Sequence, residues 1–124
     1  MKWFATKKQG DIWDEAIEGP IGDIEAAERI RAICEAATAS AEKVGSSAAR
    51  SDKPEGERYQ RATRAAMEIA MKISDDLMRD DAVRRIVDLC MKANDARTAQ
   101  ILSRAIQASW IREAVRRDYP ALSQ

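Results

Sequence analysis

Apolar residues recur at spacings of three and four along most of the chain, which places them on one face of a helix. Ile24, Ala27, Ile30, Cys34, Ala37, Ala41 and Val44 predict a helix from about Asp23 to Lys43, ended by Gly45. Tyr59, Ala62, Ala66, Ile69, Ile73 and Leu77 predict a second from about Glu57 to Leu77, and Val83, Ile86, Cys90 and Ala93 a third from about Asp80 to Ala93. Asn94-Asp95 reads as a turn in which Asp95 caps the next helix. Ala99, Leu102, Ile106, Trp110 and Ala114 carry that helix from about Ala96 to Arg117, and Pro120 stops any continuation. Ahead of these, Asp11 to Glu18 reads as a short helix with Ile12, Trp13, Ala16 and Ile17 as its apolar stripe and Gly19-Pro20 as its stop. So short a helix is stable only when packed on something. Gly45 to Gly56 is small, polar and punctuated by Pro54 and Gly56, the composition of a mobile loop.

Charge order fits the same elements. An acid stands four residues before a base at Glu25/Arg29, Glu57/Arg61, Glu68/Lys72, Asp75/Arg79, Asp80/Arg84, Asp81/Arg85, Asp88/Lys92 and Glu113/Arg117. This order favours pairing on an exposed helix by about 0.3 kcal/mol each. Most of the charge is therefore expected on solvated helix faces.

The second half of the chain repeats itself. Ala66, Ile69, Ile73, Leu77, Met78, Arg79 and Asp80 recur 33 residues on as Ala99, Leu102, Ile106, Trp110, Ile111, Arg112 and Glu113. A looser match, 56 residues on, carries Ala27, Ile30, Ile33, Cys34 and Ala37 onto Val83, Ile86, Leu89, Cys90 and Ala93, and Arg29 onto Arg85. A period near 33 is that of stacked helical hairpins. The division implied is a capping segment over 1–20, a first hairpin over 21–77 and a second over 78–118, with Ile111 to Arg117 resembling the start of a further unit. Trp3, Phe4, Trp13 and Ile17 are expected to seal one end of the stack. Leu77 and Trp110 follow the spacing of the core, so both are expected to be buried, with an interface anchor as the alternative for Trp110.

The stretch from Ala66 to Glu113 resembles tetratricopeptide-like helical repeats in its period, in the Asn94-Asp95 turn between two short helices and in the small residues Ala66 and Ala99. The resemblance implies an all-α fold of two stacked antiparallel hairpins with a short N-terminal helix. It also implies a role in binding another protein, with the first helix of each hairpin on the inner face. Arg29 and Arg85 would then share one surface, with Lys92 nearby, as the partner-binding residues. A plain four- or five-helix bundle is the alternative architecture.

Composition agrees with an all-helical domain, since alanine is abundant and Val, Ile and Thr are thinly spread. Lys+Arg and Asp+Glu are both 21, which removes the basic excess on which simple nucleic-acid binding rests. No apolar run approaches a membrane span, and the N-terminus is too polar for a signal peptide. Cys34 and Cys90 sit within apolar helical patterns and read as reduced core thiols of a cytoplasmic protein. The chain has no histidine, which removes the commonest general base and the usual activation of Ser or Cys nucleophiles. Asp75, Asp76, Asp80 and Asp81 form the one dense acidic cluster, placed to cap a helix rather than to hold a metal. No catalytic residue, metal or cofactor is expected. The reading is a non-enzymatic interaction module, with a small regulatory or inhibitory homodimer as the alternative and weak nucleic-acid binding a distant third.

Overall fold

The computed structural model describes residues 11–15, 17, 19–46 and 53–123. Among them all regular structure is helical. Five helices, α1 (Asp23–Gly45), α2 (Lys53–Ala70), α3 (Asp76–Lys92), α4 (Ala96–Ala105) and α5 (Ser109–Asp118), are flanked by short 3-10 turns at Ile12–Asp14 and Pro120–Ser123. α1 packs on α2 and α3, and α3 also packs on α2, α4 and α5. Two consecutive hairpins, α1/α2 and α3/α4, thus stack through α1 and α3, and α5 follows against α3. α3 is central, which is why Val83, Ile86, Val87, Leu89 and Cys90 are all buried on it.

Small residues set the spacing of the helices. Ala26, Ala37 and Ala41 of α1 and Ala62 and Ala66 of α2 are wholly buried, so these two helices approach closely around Ile30, Ile33 and Ile69. Gly45 ends α1 directly against the backbone of Lys92, and a Cβ there would overlap the Lys92 carbonyl oxygen. The α3–α4 turn places Asn94 at φ 59°, a left-handed conformation that Asn tolerates better than most residues. Asp95 caps α4 by accepting from the Thr98 amide at 3.3 Å.

Several boundaries differ from the sequence reading. Lys53 to Gly56, expected in a loop, form the first turn of α2, while 47–52 lie outside the described residues. α2 stops at Ala70 rather than Leu77, because the Asp23 carboxylate takes the amides of Ser74 (2.8 Å) and Asp75 (2.9 Å) out of any helical ladder. Asp75 then caps α3 by accepting from the Met78 amide at 2.8 Å, so the helix starts at Asp76 and not Asp80. Asp80 instead is buried, and its carboxylate accepts from the amides of Gln107 (3.2 Å) and Ala108 (2.9 Å). That interaction breaks the expected Ala96–Arg117 helix into α4 and α5. The N-terminal helix expected over Asp11–Glu18 is only the turn Ile12–Asp14, with Trp13 buried and Ile17 half-buried. Trp3 and Phe4 lie outside the described residues.

Leu77 and Trp110 are corrections of a different kind. They are exposed, at 52% and 62%. The three-and-four spacing from Ile73 to Leu77 and from Ile106 to Trp110 crosses a helix break, which resets the phase of the face. The paired charges also differ: of the eight pairs only Asp81–Arg85 closes, at 3.5 Å. Arg79 turns instead to Asp76, Arg84 to Asp118, Arg29 to Glu15, and Arg61 to Asp11 and Asp14. For Arg29, Arg61 and Arg84 a neighbouring element supplies the acid, and for Arg79 the residue three before it in α3 does.

Candidate functional site

The exposed sides of α1, α3 and α5 carry matching strips. On α1 it runs Ile24, Glu28, Arg31, Glu35, on α3 Leu77, Asp81, Arg85, Asp88, Lys92, and on α5 Trp110, Glu113, Arg117. Each advances by three or four residues, so each is one helix face. Each begins with a large exposed apolar side chain in the first helical turn, Ile24 being 69% exposed. Scattered exposed hydrophobes are ordinary, but three at the same station of three packed helices are not scattered.

Between α1 and α3 the strips border a groove of about 160 Å³ lined by Arg31, Cys34, Glu35, Arg85, Asp88 and Lys92. α1 supplies Arg31, Cys34 and Glu35 at helical spacing, and Thr38 continues the wall. Thr38 is tied down by donating to the Cys34 carbonyl at 2.8 Å. The Cys34 thiol lies against the Arg85 carbonyl at 3.9 Å, which fixes the register of the two helices at the groove floor. Burial pushes this thiol up to about 12, only partly opposed by the Arg85 charge, so it is a neutral wall and not a nucleophile. Asp88 accepts from the Tyr119 hydroxyl at 2.8 Å, which reaches over from beyond α5.

Of the sequence-named residues, Arg85 and Lys92 meet in this groove and Arg29 does not. Arg29 faces the N-terminal turn, where its guanidinium lies 3.5 Å from Glu15 beside a separate groove of about 290 Å³. The mismatch has a simple cause. Arg29 and Arg85 occupy like positions in the first helices of successive hairpins, so Arg29 faces the N-terminal turn and Arg85 faces α1, one step apart in the stack. Arg31 is the residue of α1 that faces α3. The Arg31–Glu35 and Cys34–Thr38 spacings held that signal, whereas the 56-residue match drew attention to Arg29.

The acidic cluster disperses into separate tasks. Asp75 caps α3, Asp76 pairs with Arg79 at 2.6 Å, Asp80 holds the α4–α5 turn, and Asp81 pairs with Arg85. Among the described residues no group of three or more His, Cys, Asp or Glu side chains is placed to hold a metal ion. Arg58 lies over the Trp13 ring at 5.4 Å and donates to Asp11 at 2.8 Å, so it braces the N-terminal turn. Cys90 is buried, with its thiol raised to about 11 by burial, and both cysteines are free. No described helix is long and apolar enough to cross a membrane. Compared with known proteins, the chain matches no family model, no curated protein and no solved structure.

Proposed function

We propose that this chain is a non-enzymatic protein–protein interaction module of the cytoplasm, a short tetratricopeptide-like array whose helices α1, α3 and α5 present one docking face. The observation that carries this reading is the exposure of Leu77 and Trp110. They stand 33 residues apart, each the second residue of its helix, and Arg79 and Arg112 two residues on make the same backbone contact to Ile73 and Ile106. A rigid, exposed tryptophan is the side chain most enriched at interface hot spots. Free, unactivated thiols and the lack of histidine support binding over chemistry, and the free thiols fit a reducing compartment.

Affinity capture from the native source, run in parallel with the wild-type chain and the Leu77→Ala/Trp110→Ala variant, tests the reading. A protein held by the wild type and released by the variant supports it, and an identical set held by both contradicts it. A second reading, self-association into a homodimer through the same face, draws on the formal net charge of +0, which removes the repulsion between copies. The mass from light scattering separates the two.

A further inference from the structure

The α1–α3 groove is lined by three cations and two acids, and their bonding states are unequal. Arg31 and Lys92 have no ion-pair or hydrogen-bond partner among the described residues. Arg85 comes no closer to an acid than 3.5 Å, from Nε to an Asp81 carboxylate that is itself largely exposed. Of the two acids, Asp88 accepts the Tyr119 hydroxyl through one oxygen and keeps its charge, and Glu35 has no ion-pair or hydrogen-bond partner among the described residues. Outside the groove Arg29, Arg58, Arg61, Arg79 and Arg84 pair with carboxylates, while Arg64, Arg97, Arg116 and Arg117 have no ion pair among the described residues but are scattered over α2, α4 and α5. Three cations against two acids in one concave place, walled by a neutral thiol and a threonine, leave the groove formally positive by one charge and suited to an oxyanion. The space of about 160 Å³ admits a carboxylate side chain or a phosphate. The same helix strip that ends in this groove at Lys92 begins at Leu77, some 15 residues or roughly 22 Å away along α3. A ligand lying along that strip is a polypeptide.

We propose that the groove between α1 and α3 binds the acidic side chains of a peptide segment through Arg31, Arg85 and Lys92. The proposal takes the α1/α3/α5 face as a docking surface and names the chemistry of what docks there. Arg31 and Arg85 clasp a carboxylate from opposite walls, and Lys92 adds a point charge at the end of the groove. Glu35, which also lines the groove, weakens the binding of an acid by like-charge repulsion. Removing it strengthens binding of an acidic peptide.

The test is an amide-resolved NMR titration of the isotope-labelled full chain with acetylated hexaglutamate. Hexaglutamine and inorganic phosphate serve as controls. The expected result is saturable shifts at Cys34, Thr38 and Leu89, weakened as salt is raised. Affinity falls about tenfold or more in Arg31→Gln/Lys92→Gln and rises severalfold in Glu35→Gln. The same spectra report whether each variant is folded. Absence of saturable shifts, or equal binding by the double variant, overturns the proposal. Phosphate that shifts the same amides as strongly as hexaglutamate at equal concentration overturns the peptide assignment. Arg97→Gln, exposed on α4 and outside the α1/α3/α5 face, leaves hexaglutamate binding unchanged. Hexaglutamate has no apolar side chain to seat on Leu77 or Trp110, so failure of the groove is read independently of failure of the docking face.

Discussion

Arg79 and Arg112 stand 33 residues apart and make the same contact. Each lies in the first turn of its helix and reaches back to the carbonyl six residues earlier. Arg79 donates to Ile73 at 3.2 Å and Arg112 to Ile106 at 2.8 Å. The turns they clamp also match, with the Ile73 amide bonded to the Ala70 carbonyl (3.1 Å) and the Ile106 amide to Ser103 (3.2 Å). From below, each turn is held by a carboxylate of the preceding hairpin's first helix, Asp23 for one and Asp80 for the other. An arginine and an aspartate thus hold each reversal of the chain, and the reversal leaves Leu77 or Trp110 facing outward.

The two carboxylates are not equally protected. Asp80 is buried, and the bonds it accepts are partly buried, whereas those of Asp23 are exposed. Asp80→Ala leaves two amide donors poorly satisfied and is expected to cost about 2–3 kcal/mol, against about 1 kcal/mol for Asp23→Ala. Urea denaturation of the two variants checks the order. Equal costs would mean that the α4–α5 turn is held by something other than Asp80.

Gly45 tests the close approach of α1 to α3. Alanine at a helical glycine ordinarily adds up to about 1 kcal/mol of stability. Here the added methyl meets the Lys92 carbonyl oxygen, which is backbone and cannot swing away. Gly45→Ala is expected to lower stability by about 1–3 kcal/mol. A stabilised variant in a thermal melt would contradict the packing of the two C-terminal ends.

The thiols predict an alkaline effect. Burial raises Cys34 to about 12 and Cys90 to about 11, from an ordinary value of 9.0. Folding therefore favours their protonated forms. This contribution is complete below pH 9 and is lost as pH rises through the folded values. Alkylation by iodoacetamide should be slow at pH 8 in the native state, fast in denaturant, and should climb steadily above pH 9. Fast native labelling at pH 8 would contradict the groove floor as described.

Much of this fold is legible in the sequence, because it rests on local patterns. The start of α1 at Asp23, its end at Gly45, the Asn94-Asp95 turn and burial at Ile30, Ile73, Ile86 and Ile106 all follow from spacing and turn chemistry. The break at Ile106–Gln107–Ala108 is not legible. No glycine or proline marks it, and its cause is a carboxylate 27 residues away. Once that break is missed, Trp110 reads as core. The site is half legible for a related reason. Arg85 and Lys92 lie on the face of α3 that a hairpin stack exposes, but which face of α1 meets them depends on packing register, and that selects Arg31 over Arg29.

Trp110 carries the central claim. The most direct measurement is titration calorimetry of Trp110→Ala against the partner recovered with the wild-type chain, made on samples of matched folded fraction. An exposed side chain predicts a melting temperature within about 3 °C of wild type. A docking anchor predicts affinity reduced by about 30-fold or more. Unchanged affinity would remove Trp110 from the docking face, and a loss of about 3–5 kcal/mol in stability would return it to the core.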